Sequence, residues 1–230
     1  MARADLHTHT RRSPDGSTSP VAFVQRCLAR GLTHVAVTDH NTIAGAQEIA
    51  AQAAGRITVI IGEEVSTAAG ELIGLFLDQR VPPGLSLFET VERIHVQGGL
   101  VMAPHPFDPL RPGIRRAGLR TIGNVVDIVE GYNGRALLGR FDRAARRWAE
   151  EHNRPVGLGS DAHLEAELGR SMMDLPDFDG PDELLGALRE ARYSLAPPAF
   201  WLLPLSGVAL ARHWSGRVTR SAFPRTEAKP

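Results

Sequence analysis

Histidines and carboxylates recur along the chain in short runs that suit the binding of divalent cations. In the first run, His7 and His9 are separated by one residue, so an extended backbone turns both imidazoles to the same side, where they can share one ion. Imidazole and carboxylate are the ligand types that zinc, manganese and iron take. The runs are His7-Thr8-His9, Thr38-Asp39-His40-Asn41, Gly62-Glu63-Glu64, Ala103-Pro104-His105-Pro106 and Gly159-Ser160-Asp161-Ala162-His163.

Each run follows a segment with the composition of a buried strand. The carboxyl ends of parallel strands share one rim of a sheet, where barrel enzymes collect their functional groups. A single histidine after a strand is usually an ordinary loop residue. Five such runs at one rim instead predict a metal site. Besides the strand before His7, the predicted strands are residues 32–38, 56–61, 71–77, 100–103, 125–129 and 155–158.

Helical segments alternate with these strands along the chain. About seven strand-helix repeats favour a parallel sheet, either closed into a barrel or doubly wound, because each helix returns the chain to the same edge. The predicted α/β domain covers residues 1–198, and residues 199–230 form an appendage. The apolar run at 200–214 predicts a helix that packs on the barrel or on a partner subunit, with a peripheral membrane contact as the alternative. The predicted helices are residues 20–30, 42–54, 85–97, 135–152 and 184–192.

Composition limits the class of protein and of partner. The hydrophobic fraction of 43% is that of a globular protein, and 26 basic residues balance 26 acidic ones. No overall field therefore attracts nucleic acid or anionic lipid, so any phosphate must be attracted locally. Cys27 is the single cysteine, which favours a reducing compartment. With no transmembrane run and no apolar leader, we expect a cytoplasmic protein.

The runs, in their order and spacing, resemble the PHP family, named for polymerase and histidinol phosphatase. The resemblance covers residues 3–198 and includes two further elements, Ser13-Pro14-Asp15-Gly16 and the Gly-x-Glu-x-Ser-Thr element that ends at Thr67. It implies a distorted seven-stranded (β/α)7 TIM-like barrel. It also implies a trinuclear site of zinc, manganese or iron that acts on phosphate esters.

The resemblance also implies a ligand set, from which one member is missing. His7 and His9 would hold a first metal with Asp161, and Glu64 would bridge it to a second metal, which His105 also binds. Many relatives add a histidine on the strand at 71–76, but Ile73 or Gly74 stands there. The second metal is therefore expected to bind weakly or to be lost, leaving two or three ions. Asp15, His40 and His163 complete the set as ligands of a third metal.

Other polar residues are candidates for supporting roles. Arg170 could hold a phosphate oxygen with its planar guanidinium, or form a structural salt bridge. Asp39 could orient His40 or cap the following helix. Asp161 or His163 could pass a proton to the leaving group. Residues 127–133, with Glu130 and Asn133, are expected to line the substrate pocket. We assign ordinary surface or packing roles to His34, His95, Arg111 and His152.

The resulting hypothesis is hydrolysis of a phosphate ester by metal-activated hydroxide. Since the chain has no overall positive charge, a nucleotide, a short oligonucleotide or a small-metabolite monoester is favoured over a long polymer. One alternative is a metal-dependent amidohydrolase, but such sites usually contain a carboxylated lysine, and no lysine precedes Lys229. The other is a catalytically silent metal-binding module, which the missing histidine near Ile73 favours. The oligomeric state stays open.

Overall fold

A nine-stranded sheet runs through the computed structural model, which describes residues 1–197. The strands are β1 (Ala2–Thr8), β2 (His34–Val37), β3 (Thr58–Thr67), β4 (Gly70–Leu75), β5 (Leu100–Ala103), β6 (Ile128–Asn133), β7 (Val156–Gly159), β8 (Met172–Leu175) and β9 (Arg192–Ser194). Six α-helices in the same residues connect or flank them: α1 (Pro20–Ala29), α2 (Ala44–Ala53), α3 (Leu87–His95), α4 (Arg115–Ile122), α5 (Gly139–Glu151) and α6 (Pro181–Ala187).

The first seven strands curl into a nearly closed barrel. They lie in the order β7-β6-β5-β4-β3-β2-β1, and β8 and β9 extend the sheet beyond β1. The two ends of the curl meet where Thr8 forms an isolated parallel bridge with Ala162. The amide of Asp161 donates to the carbonyl of His7 at 2.8 Å, and the amide of His9 donates to the carbonyl of Ala162 at 2.8 Å. The end of β1 and the segment after β7 are thus directly joined.

The α/β class and the barrel-shaped sheet are confirmed, but two details of the prediction are wrong. The sheet has nine strands where seven were expected. It is also mixed, because β4 runs antiparallel to both β3 and β5, and β8 runs antiparallel to β1. Only Ala68 and Ala69 separate β3 from β4, and a connection this short makes a hairpin and leaves no room for a parallel crossover.

The barrel interior and the helical layer have separate apolar cores. Inward-facing side chains such as Leu6, Ile73 and Met102 fill the barrel below the polar rim. On the outside, α3, α4 and α5 pack on the sheet through residues such as Ile94 and Leu119. The barrel is therefore a packed scaffold, and only its rim is free to carry polar groups.

Several boundaries differ from the predictions for identifiable reasons. Helix α5 begins at Gly139, four residues later than expected, because Asn133 organises a turn: its Oδ1 accepts from the amide of Arg135 at 2.9 Å. Helix α4 was not predicted, since its arginine-rich sequence leaves a narrow apolar stripe. Strands β8 and β9 were missed, and the predicted helix at 184–192 is α6 followed by a 3₁₀ turn at Leu188–Glu190.

The predictions for Cys27 and for membrane-spanning segments can also be compared with the structure. Cys27 is buried in α1 as a free thiol, in agreement with its predicted packing role. Across residues 1–197 the helices are too short or too polar to cross a bilayer. The predicted appendage at 199–230 lies outside the described residues.

Candidate metal centre

The eight predicted ligands come together at one rim of the barrel. The loop after β1 carries His9 and Asp15, His40 follows β2, His105 follows β5, and Asp161 and His163 follow β7, while His7 and Glu64 lie within β1 and β3. They surround a cavity of about 260 Å³, whose wall includes six of them together with Glu71, Arg111 and Arg135. The side chains of His7 and His9 are fully buried beneath it.

The first predicted group is tightly clustered. Nε2 of His7 lies 3.0 Å from Nε2 of His9. Oδ1 of Asp161 lies 3.8 Å from the first of these atoms and 3.5 Å from the second. Three ligand atoms thus converge within a span that one cation can bridge.

The predicted third group lies at the mouth of the same cavity. Oδ2 of Asp15 lies 3.0 Å from Nε2 of His163, and its Oδ1 lies 3.6 Å from Nε2 of His40. Because Asp15 and His40 are only partly buried, this group is the one that meets solvent.

Glu64 connects these groups to His105. Its Oε2 lies 3.5 Å from Nε2 of both His7 and His9 and 3.1 Å from Nδ1 of His40. Its Oε1 lies 3.3 Å from Nε2 of His105. Glu63 points to the other face of β3, where it accepts a hydrogen bond from the amide of Val81 at 2.7 Å. The structure thus places Glu64, and not its neighbour, among the ligand candidates.

Glu71 is an additional carboxylate that sequence reasoning did not single out. Its Oε1 lies 3.7 Å from Nδ1 of His40, and it forms a possible ligand group with His40 and Glu64. Ile73 packs in the barrel core two residues later on the same face of β4. Strand β4 therefore lacks the expected histidine at Ile73 but carries the carboxylate of Glu71 two residues away, closer to the rim.

Glu130 supports the cluster from below. Its Oε1 lies 2.9 Å from Nδ1 of His7, and its Oε2 accepts from the amide of His105 at 2.7 Å. This contact holds a proton on Nδ1, so Nε2, which faces the cluster, is the nitrogen that would bind a cation. Asn133 donates to Oε2 of Glu130 at 3.0 Å and to Oδ2 of Asp161 at 3.2 Å. The segment at 127–133 was expected to line the substrate pocket. In the structure Glu130 and Asn133 line neighbouring cavities, and their side chains also orient ligand candidates.

Asp39 acts on His40 through Ser13, which agrees with the first of its two expected roles and not with the helix cap. It accepts hydrogen bonds from the amide and hydroxyl of Ser13 at 3.1 and 2.7 Å. The same hydroxyl oxygen lies 3.0 Å from Nδ1 of His9 and accepts from the amide of His40 at 3.1 Å. Helix α2 has no side-chain cap at its first turn. Asp39 therefore holds the serine that positions two histidines.

The arginines that line the cavity are Arg111 and Arg135, and the predicted Arg170 is not among them. Arg111 contacts Oδ2 of Asp161 directly, and NH1 of Arg135 lies 2.8 Å from Nδ1 of His163. Arg170 donates to the carbonyl of Pro197 at 3.0 Å and does not line the cavity. The sequence did not single out Arg111 or Arg135 because both lie in loops, where no periodic pattern shows which way a side chain points. Arg111 comes six residues after His105, and Arg135 comes two residues after Asn133. His34, His95 and His152 lie outside the cluster, beside Phe178, Asp127 and Trp148.

Opposing electrostatic effects act on the buried histidines. For His7, burial lowers the pKa, but the carboxylates of Glu64 and Glu130 outweigh it and raise the pKa to about 10. For His163, burial prevails and lowers the pKa to about 4. Burial and the charge of Glu64 raise the pKa of Glu71 to about 8. The cluster thus concentrates acidic groups that require compensating positive charge.

Two buried carboxylate oxygens test whether the residues fit divalent cations. Within residues 1–197, Oδ1 of Asp161 and Oδ1 of Asp15 are shielded from solvent and have no hydrogen-bond donor. Both lie near imidazole nitrogens, at 3.3–3.8 Å. Leaving such oxygens unpaired is costly, and a cation between them and the imidazoles would satisfy both. The donor set of imidazoles and carboxylates fits zinc, manganese or iron.

The backbone at the rim is strained at two ligand candidates. His105 has a φ of 30° and Asp161 a φ of 53°, in the left-handed region that non-glycine residues seldom adopt. Such conformations cluster at functional sites because the surroundings hold them in place.

Comparisons with known proteins agree with this geometry. The PHP domain profile matches residues 5–152, and a PHP-associated profile matches residues 139–193. An uncharacterized protein of Methanocaldococcus jannaschii is 39% identical over 142 residues, which are 57% of this chain and 81% of that protein. The 3',5'-nucleoside bisphosphate phosphatase of Chromobacterium violaceum is 40% identical over 87 residues, 36% of this chain and 30% of that enzyme.

A solved structure shares the fold. It is a two-domain protein from Bacteroides vulgatus that contains a predicted PHP-like metal-dependent phosphoesterase, and it superposes with a TM-score of 0.70 at 19% identity. The match covers 84% of this chain and 64% of that one.

Proposed function

The chain belongs to the PHP domain family, and we propose that it hydrolyses a phosphate ester at the cluster around the 260 Å³ cavity. The observation that carries the proposal is the convergence of eight imidazole and carboxylate side chains, from the ends of five strands, beside two arginines. Nucleotides, short oligonucleotides and small-metabolite monoesters are the proposed substrate classes.

Divalent cations would be held in three groups by these residues. His7, His9 and Asp161 would hold one, with Glu64 shared; His105 and Glu64 would hold a second; and Asp15, His40 and His163 would hold a third. Glu71 is a further proposed ligand, since its carboxylate reaches His40 and Glu64. When bound, such cations supply an ionised water near neutral pH and withdraw charge from phosphoryl oxygens.

The chain's own residues would bind and orient the substrate. The planar guanidinium groups of Arg111 and Arg135 suit phosphoryl oxygens, to which they can donate two parallel hydrogen bonds. In the structure Arg111 rests on the carboxylate of Asp161, and Nε of Arg135 lies 3.4 Å from Oε1 of Glu167. A phosphate entering the cavity would offer both guanidinium groups another anionic partner. This assignment replaces Arg170 as the proposed phosphate ligand.

Proton transfer to the leaving alkoxide is proposed for Asp161 or His163. Oδ1 of Asp161 lies 3.3 Å from Nδ1 of His163, which also contacts the backbone carbonyl of Asp161 at 2.8 Å. Both groups line the cavity, within reach of a bound ester.

The test is phosphate release from a panel of nucleotides and aryl phosphates, with added manganese and elemental analysis of the purified protein. We expect Asp161→Asn and His7→Ala to lower turnover by about 10²-fold or more while the protein stays folded. Circular dichroism checks the fold. Full activity in either variant would refute the assignment.

The same panel tests the silent-module alternative. A wild-type protein that binds metal but releases no phosphate from any ester would support a binding role and overturn the proposal.

A further inference from the structure

Arginines are concentrated on one side of the barrel, although the chain as a whole is neutral. Residues 107–154 contain ten arginines against six acidic residues. Helices α4 and α5 both lie in this segment, and the indole of Trp148 on α5 packs over Gly123 at the end of α4. The neutral composition therefore conceals a locally basic surface.

These arginines lack carboxylate partners, which some arginines elsewhere on the fold have. Arg3 pairs with Asp174, and Arg12 pairs with Glu48. By contrast, none of the exposed arginines of α4 and α5 forms a salt bridge within residues 1–197. They are Arg115, Arg116 and Arg120 on α4, and Arg140, Arg143 and Arg147 on α5.

Their spacing directs them outward in rows. Arg140, Arg143 and Arg147 are separated by three and four residues, so they share one face of α5. Arg116 and Arg120 form a second row on α4. Like charges in rows repel each other, which disfavours this arrangement unless an anion neutralises them.

A groove of about 250 Å³ lies between the two helices and combines these charges with aromatic rings. Its walls are Phe107, Arg116, Ala144, Arg147, Trp148 and Glu151. The guanidinium of Arg116 lies over the ring of Phe107 at 5.2 Å. Trp148 stacks on His152 with ring centroids 3.9 Å apart. Glu151 is the one acidic wall residue.

The groove begins beside the metal centre. Phe107 is two residues after His105, in the loop that also places Arg111 in the cavity. A small cavity lined by His105, Phe107 and Glu130 lies between the two sites. One ligand could therefore lie in the groove and place its end at the ligand cluster.

We propose that this groove binds single-stranded nucleic acid, with bases against Phe107 and Trp148 and phosphates against Arg116 and Arg147. Cationic grooves with aromatic side chains bind single strands because every base has a stackable face and every linkage a negative charge. This inference goes beyond the proposed hydrolysis, and a binding measurement tests it without any turnover of substrate.

The test is fluorescence anisotropy with a labelled single-stranded dodecamer, as RNA and as DNA, over a series of salt concentrations. We expect the double variant Arg116→Glu and Arg147→Glu to weaken binding at least tenfold and to reduce the salt dependence. The matched control reverses Arg56 and Arg192, which are exposed elsewhere, and should bind nearly as well as the wild type. Thermal unfolding checks that both variants are folded.

Two further ligands distinguish base stacking from attraction by charge alone. A duplex of the same sequence and an abasic strand of the same length should both bind at least fivefold more weakly than the dodecamer. Equal binding of the abasic strand, or wild-type affinity in the groove variant, would overturn the proposal. Hydrolysis of p-nitrophenyl phosphate should be unchanged in the groove variant, so a failure of the groove and a failure of the catalytic proposal are distinguishable.

Discussion

Ser13 is the residue through which a buried carboxylate reaches two histidines. Its hydroxyl donates to Asp39, lies beside Nδ1 of His9 and accepts from the amide of His40. A hydroxyl fixed in this way determines the ring orientation of His9 and the direction in which its other nitrogen points.

We expect Ser13→Ala to reduce metal affinity about 10- to 100-fold, the usual effect of removing a residue that orients a ligand. Titration calorimetry with manganese or zinc measures this change. Ser17→Ala is the matched control, since Ser17 lies exposed on the same loop. Equal metal affinity in the two variants would contradict the role of Ser13.

Asp142 carries a charge that the fold disfavours. Burial and the nearby charge of Glu130 raise its pKa from the ordinary 3.8 to about 7. The unfolded chain therefore loses this proton at lower pH than the folded protein does. The resulting penalty on folding is absent below about pH 4 and complete above about pH 7.

Asp142→Asn should remove this penalty. We expect the variant to gain about 1–2 kcal/mol of stability over the wild type at pH 8, after allowance for solvent screening, and almost nothing at pH 4. Urea unfolding at the two pH values measures the difference. A gain of equal size at both would show that ionisation of Asp142 is not its cause.

At the scale of the secondary-structure elements, β7 approaches β1 closely because it ends in glycine. A Cβ on Gly159 would collide with Cβ of His7 and with Oε1 of Glu130, whereas one on Gly186 in α6 would meet nothing within 4 Å. The glycine thus leaves room for the imidazole and its carboxylate partner.

Gly159→Ala should displace His7 and lower activity about 10²-fold, because small misplacements of catalytic groups have effects of this size. Overpacking should also destabilise the fold by about 1–3 kcal/mol. Phosphate release and thermal unfolding measure both effects. Gly186→Ala should leave activity unchanged and add a few tenths of a kcal/mol from helix propensity. Wild-type activity in Gly159→Ala would show that β7 can yield without moving the ligands.

The sequence predicts those parts of the site that depend on neighbouring residues in the chain. It does not predict those that depend on contacts between distant residues. The strands before His40 and Glu64 could be predicted because a buried strand is recognisable from its own residues. The carboxyl ends of parallel strands share one rim, and this placed the two side chains together. Glu71 was missed because the hairpin that lifts it to the rim depends on antiparallel pairing of β4. Arg111 and Arg135 were missed because loop conformation, which has no periodicity, brings them into the cavity.

Over the whole molecule, charge is distributed in a way that composition does not reveal. Equal numbers of acidic and basic residues argued against a polyanion partner, yet acidic groups gather in the barrel mouth and arginines gather on α4 and α5. Net charge is a sum over the chain, whereas recognition depends on the local field. The neutral total was therefore a poor guide to the surface beside the site.

The bridge between Thr8 and Ala162 also governs the order in which the site can assemble during synthesis. Asp161 and His163 are synthesised only after some 150 residues have been added beyond His7 and His9. Until then the earliest histidines have no carboxylate opposite them from β7. The nascent chain therefore carries an incomplete set of cation ligands until β7 has been made, and closure of the barrel is the step that completes it.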